Sequence, residues 1–124
     1  MTADKTLYQF FNSFGIPGYP DTAVPDDTVM PYLSYSVQLG GWDDLPVSLT
    51  VKVWYHTESE AVPTQKAQEI MDAIGNGGVQ VPCDGGCIWL TLGQPRCISF
   101  SHESDHTIKG RQLNIEAAYF ITGR

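Results

Sequence analysis

Four residues with metal-ligand chemistry, Cys83, Cys87, His102 and His106, follow one another as C-x3-C-x14-H-x3-H. Thiolate and imidazole pairs near these intervals form the donor set of structural zinc. In a nucleic-acid-reading finger, both histidines lie on a helix after a short hairpin, and that helix carries the base-reading side chains. The interval here, IWLTLGQPRCISFS, alternates like strands and contains Gly93 and Pro95. The helix of a finger is therefore missing, and CDGGC reads more simply as a hairpin turn with thiols at its strand ends. A zinc-containing nucleic-acid-binding module stays as a remote alternative. Redox chemistry has less support, because the spacing is not C-x2-C and no helix start follows to lower a thiol pKa.

Hydrolysis needs a nucleophile, a base and an orienting acid that meet in the fold. His56, His102 and His106, with Glu58, Asp84, Glu103 and Asp105, offer these groups, but residues of this kind occur in most domains of this size. No G-x-S-x-G, phosphate loop or dinucleotide fingerprint is present. Gly75-Asn76-Gly77-Gly78 ends a predicted helix rather than opening one, so it does not cradle phosphate. The sequence thus assigns no catalytic residue, no metal ligand and no cofactor, and points to a protein that is not an enzyme.

The elements that position these groups fit one domain, residues 1–124, which at this length buries enough surface to fold without a metal or disulfide. Seven basic residues against fourteen acidic ones give a net charge of −7, the wrong sign for gripping phosphates over a whole surface. Three cysteines, an odd number without a recognisable export signal, fit a reducing compartment. No apolar run is long enough to span a membrane. These features predict a cytosolic product.

Leu7, Phe10, Phe11 and Phe14 fall on one helical face, with Thr2 or Asp4 as cap and Gly15 as terminator. IPGYPDTAVPDD, with three prolines and no periodicity, predicts an ordered loop. A strand is expected over 28–39, with Tyr32 and Tyr35 on opposite faces, and a hairpin partner over 47–56 after a loop at Gly40–Pro46. In the partner, Val47, Leu49, Val51, Val53 and Tyr55 face one way and Ser48, Thr50 and Lys52 the other. Ala67, Ile70, Met71 and Ile74 form a second helical stripe, with Pro63 in its first turn and Gly75 as its stop. Then come VQVP and CIWLTL joined at Asp84-Gly85-Gly86, a turn at Gly93-Gln94-Pro95, the strand RCISFSHE and a last alternating strand over 111–123. The pattern predicts an α+β domain: a mostly antiparallel sheet with two amphipathic helices on one face. Trp54 falls on the strand face opposite Val51, Val53 and Tyr55. Aromatic groups on both faces suggest that another subunit buries one of them.

Three stretches, W-Y-x-T-E-S-E-A from Trp54, K-A-Q-E-I from Lys66 and V-P-C-D-G-G-x-I-W-L from Val81, carry a resemblance over about Met30 to Ile121. There the chain resembles the head and tail proteins of long-tailed bacteriophages, and within that group the tail terminators. The resemblance implies a sheet flanked by helices that assembles as a homohexameric ring at the head-proximal end of the tail tube. Such a ring stops tube polymerisation, docks the head-completion or connector protein, and lets genomic DNA pass through its lumen in the virion after assembly in the host cytoplasm. The alternative within the virion is a head-completion or adaptor protein of the neck. Ring contacts are heterologous, and strand edges and loops are expected to supply them. The candidates are Trp54, Tyr55, Cys83, Cys87 and Trp89. A lumen that does not hold DNA is expected to present carboxylates, for which Asp26, Asp27, Asp43 and Asp44 are candidates.

Overall fold

The computed structural model describes residues 3–36, 47–101, 104–105 and 107–121. Thr2, the expected loop at Gly40–Pro46 with Asp43 and Asp44, and His102, Glu103 and His106 lie outside the described residues. The chain forms helix α1 (Ala3–Phe11), strand β1 (Gly18–Pro20), a short 3-10 turn (Asp21–Ala23), β2 (Tyr32–Tyr35), β3 (Val47–His56), helix α2 (Ala61–Ile74), β4 (Val79–Cys83), β5 (Gly86–Ser101) and β6 (Ile108–Ile121). One six-stranded sheet has the order β1-β2-β3-β6-β5-β4, antiparallel except where β1 runs parallel to β2. The α+β class and the helix-covered face expected from sequence are present.

Strict alternation in β3 sets the core. Leu49, Val51 and Val53 are buried and pair in register with Ile115, Leu113 and Arg111 of β6, while Ile88 and Leu90 of β5 extend the same face. Leu7 and Phe11 of α1 and Ala67, Ile70 and Ile74 of α2 cover that face in a single cluster. Each fully buried Leu, Ile or Val contributes roughly 1.5–3 kcal/mol relative to exposure. α2 stops where Gly75, at φ +75°, donates its N–H to the Met71 carbonyl.

Near the N-terminus the structure departs from expectation in two ways. α1 ends at Phe11 rather than at Gly15, because Asn12 folds back: its amide donates to the Tyr8 carbonyl at 2.7 Å. The proline-rich stretch also holds a strand, Gly18–Pro20, rather than only loop. Prolines are tolerated in it because it lies at the sheet edge, where a missing donor removes no ladder bond. Asn12 serves this edge directly, accepting from the Gly18 N–H at 2.9 Å and donating to the Gly18 carbonyl at 3.0 Å.

The opposite edge meets the same helix. Buried Thr6 of α1 donates its hydroxyl to the Pro82 carbonyl of β4 at 3.3 Å. The sheet therefore curls until its first and last strands both touch α1. β4 covers β5 only from Gly86 to Leu90, so the β5 margin from Thr91 to Ser101 has no strand partner among the described residues. The Asp84-Gly85 turn makes Cys83 and Gly86 a bonded pair, so Gln80 and Pro82 are the residues of β4 that face outward. Pro82 has no N–H and its carbonyl is taken by Thr6. On β1, Gly18 is taken by Asn12 and Pro20 has no N–H. Proline and α1 thus occupy parts of the β1 and β4 margins, whereas the β5 margin beyond Leu90, where strand-edge contacts are also expected, has no strand partner among the described residues.

β5 is one strand where two were expected. Four of its residues, 93–96, stand opposite Asn114 alone, between the pairs Leu92–Ile115 and Cys97–Leu113. Gly93 lets the bulge pass close to the Asn114 carbonyl, and Asn114 donates to the Pro95 carbonyl at 2.8 Å. The predicted turn at Gly93-Gln94-Pro95 is thus a bulge inside a continuing strand.

Buried Arg111 fastens the start of α2 to β6. Its guanidinium donates to a Glu60 carboxylate oxygen at 2.9 Å, to Thr64 Oγ1 at 2.7 Å and to the Gly110 carbonyl at 2.8 Å, and Lys109 adds a second ion pair to Glu60 at 3.3 Å. The bond from Arg111, then that from Lys109, holds the Glu60 carboxyl below its ordinary value. A lowered folded-state pKa stabilises above the unfolded carboxylate value of about 4.3 and is lost as pH falls through the folded one. Glu60→Gln is therefore expected to lower stability by a constant amount above about pH 5, with the gap to wild type closing at lower pH, as followed by urea unfolding across a pH series. Asn12→Ala, which unpairs both Gly18 backbone groups, is expected to lower unfolding free energy by about 1–3 kcal/mol, against less than about 0.5 kcal/mol for the exposed neighbour change Ser13→Ala.

Candidate functional site

With both helices on one side, the other side of the sheet carries an aromatic row at registered positions. Tyr32 of β2, Trp54 of β3, Gly110 of β6 and Phe100 of β5 stand in line across four strands. Tyr32 stacks on Trp54 with centroids 6.0 Å apart, Trp54 meets Phe100 edge-on at 4.8 Å, and Tyr19 of β1 meets Tyr32 at 6.4 Å. Gly110 makes this row possible. A Cβ there would lie 2.1 Å from the Val53 carbonyl oxygen and 2.5 Å from Phe100 Cζ, so the Phe100 ring occupies the space that a side chain would fill.

Polar groups are set among the rings. Trp54 donates its indole N–H to Ser34 Oγ at 3.0 Å, and Ser36 Oγ accepts from the Thr50 N–H at 3.0 Å. Lys52 Nζ lies 5.9 Å from the Trp54 ring and 5.8 Å from that of Phe100, a cation–π arrangement. These residues, with Asp21 and Val24, line a half-open trough of about 450 Å³. Burial pushes the Tyr32 phenol up, so it stays protonated and able to donate.

A second aromatic group lies further along the same face. Trp89 of β5 and Phe120 of β6 have centroids 5.9 Å apart and remain 38% and 43% exposed. Together with Thr91, Glu116 and Ala118 they line a shallow hollow of about 250 Å³. The Trp89 N–H donates to the Gly77 carbonyl at 3.1 Å, which ties the loop after α2 to the sheet. Ile98, 43% exposed, lies between the two groups.

The residues singled out from sequence divide between the two sides. Trp54, Cys87 and Trp89 belong to the outer face by strand alternation. Tyr55 and Cys83 pack against the helix-covered core instead. Tyr55 is therefore not brought together with Trp54; burial raises its phenol pKa, opposed by Lys66 and aided by Glu69. Burial, then the neighbouring Cys87 thiol, pushes Cys83 up, and burial pushes Cys97 up against the pull of Arg111. A raised pKa leaves the Cys83 and Cys97 thiols protonated rather than activated as nucleophiles. Asp26 and Asp27 form an exposed turn.

Of the four-ligand spacing, the described residues hold only Cys83 and Cys87. Cys83 and Cys87 flank one end of β5 and turn to opposite faces, whereas Ser104 and Asp105, between the two histidines, lie beyond its other end. An extended strand of this length separates the two ends by on the order of 30 Å. Among the described residues no group of three or more His, Cys, Asp or Glu is gathered, and no helix is long and apolar enough to cross a membrane.

What the arrangement offers chemically is adhesion: aromatic area, hydroxyls and isolated charges on a sheet face that no helix covers among the described residues. Sequence reading found Trp54 and Trp89 but missed Tyr32, Phe100 and Phe120 as their partners. A glycine inside an otherwise alternating strand, Gly110, was the available signal, because such glycines mark close approach. Gly110→Ala is expected to lower stability by about 2 kcal/mol or more, whereas Gly77→Ala, whose Cβ would meet nothing within 4 Å, should stay within about 0.5 kcal/mol of wild type, both read by urea unfolding.

Neither the protein-family models, the curated proteins nor the solved structures contain a significant match to this chain.

Proposed function

We propose that this chain is a structural protein of a long-tailed bacteriophage, a tail terminator whose copies form a ring on the head-proximal end of the tail tube. The ring ends tube polymerisation and offers its other side to the head-completion or connector protein, and it makes or breaks no bond. The observation that carries this reading is the outer sheet face. A domain of this size rarely exposes two aromatic groups on one bare face unless something docks there. The W-Y-x-T-E-S-E-A, K-A-Q-E-I and V-P-C-D-G-G-x-I-W-L stretches supply the resemblance to tail terminators, and their residues fall on β3 and the start of α2, on α2, and on the β4–β5 hairpin.

Charge supports the same reading. A ring on the path of DNA works only if the genome slides, and the net charge of −7 disfavours retention of phosphate. The exposed Asp26 and Asp27 turn is placed in this proposal at the lumen or its mouth; the assignment of Asp43 and Asp44 to the same lining rests on sequence alone.

Removal of the gene from the phage is expected to yield tail tubes of uncontrolled length that fail to join heads, and added purified protein to cap them, both visible by electron microscopy. Tubes of normal length without the protein would contradict terminator function. Normal tubes combined with unfilled or leaking heads would instead favour the neck-adaptor role.

A further inference from the structure

The outer-face strands carry one unpartnered charge of each sign among the described residues, and Asp21 of the 3-10 turn lines the trough beside Lys52. Lys52, over the Trp54 and Phe100 rings, makes no ion pair among the described residues, whereas Lys66 pairs with Glu69, and Lys109 and Arg111 pair with Glu60. Glu116, exposed beside Trp89 and Phe120, likewise has no cation partner among the described residues. Lys52 stands opposite Gln112 on β6, so the two charges are four residues apart along the sheet, about 13 Å. Each sits at the inner margin of its own aromatic group. On the strands, the basic group thus lies with the Trp54 and Phe100 rings and the acidic group with Trp89 and Phe120.

From this we infer that the occupant of the outer face is a second copy of the same chain, with the Lys52 end of one copy set against the Glu116 end of the next. Three observations favour a second copy. The face is complementary to itself in charge, since a copy suitably turned places Lys52 opposite Glu116 and rings against rings. Asn12, Thr6, Pro20 and Pro82 occupy much of the β1 and β4 margins, and the outer face offers Trp89, Ile98 and Phe120 as exposed apolar area among the described residues. The rest of the chain is strongly acidic, so a basic spot set in aromatic rings meets its complement on another copy. The inference deepens the ring reading, but it stands on the face alone and does not require a tail tube.

The test is a charge exchange on the full chain, with assembled mass measured by light scattering over a concentration series at low salt. K52E and E116K, each alone, should weaken self-association about tenfold or more. An equal mixture of the two variants should associate as wild type, because each supplies the charge that the other lacks, and the K52E/E116K double variant should do the same. Melting temperature checks folding; E116K, at an exposed position, should melt as wild type. Single variants that associate as wild type would overturn the inference. So would a mixture and a double variant as weak as the singles, or a wild-type chain that stays single up to about 0.1 mM, which would assign the face to a different protein. A closed pair that obeys the charge exchange would uphold the inference and count against the ring. A ring that obeys it but leaves tube length unchanged would uphold it and count against terminator function.

Discussion

The fold depends on one short helix that holds both margins of its sheet. α1 has nine residues, yet its Asn12 neighbour closes the β1 edge, Thr6 closes the β4 edge, and Leu7 and Phe11 fill the space between. A six-stranded sheet left flat would expose two unpaired edges and a core covered only by α2. Curled around α1, it buries one face almost completely and leaves the other without a covering helix among the described residues. The same curl separates structure from adhesion: the helices lie inside with the aliphatic core and Phe11, Phe14 and Tyr35, whereas the Tyr32–Trp54–Phe100 row and the Trp89–Phe120 pair lie outside.

That separation explains why the outer aromatic residues are not spare core. Phe100 fills the gap over Gly110, and Trp89 clamps the Gly77 carbonyl, so each ring stabilises the domain with one edge and offers the other to solvent. Rings fixed in this way lose little freedom on docking, which favours their use as anchors. The polar groups between them are also satisfied locally, as in the Trp54–Ser34 and Ser36–Thr50 bonds, so covering the face strands few donors.

Much of this was legible in the sequence where one period ran unbroken. β3, α2 and β6 appear with their buried faces as read, because alternation at Leu49, Val51 and Val53 and the stripe at Ala67, Ile70 and Ile74 admit one arrangement. β1 was not legible: Pro17 and Pro20 erase the local strand signal, and the strand exists because Asn12 and the Leu33 amide satisfy it from elsewhere. The continuity of β5 was hidden by Gly93 and Pro95, whose bulge is held by Asn114 of another strand. The candidate site was half legible for the same reason. Trp54 and Trp89 stand out by type, but the row from Tyr32 to Phe100 exists only in the register of four strands. The four-ligand spacing illustrates the converse, since an interval suited to a metal became the length of one strand.

If copies of this chain join through their outer faces while α1 holds β1 and β4, the geometry of the assembled protein is fixed in outline. A cryo-microscopy map of the protein assembled on tail tubes tests that most directly. The account predicts a ring in which Trp54, Phe100, Trp89 and Phe120 are buried between neighbouring subunits and neither β1 nor β4 is extended by a neighbour's strand. A map with β1 or β4 extended by a neighbour's strand, or with the aromatic face left in solvent, would contradict it.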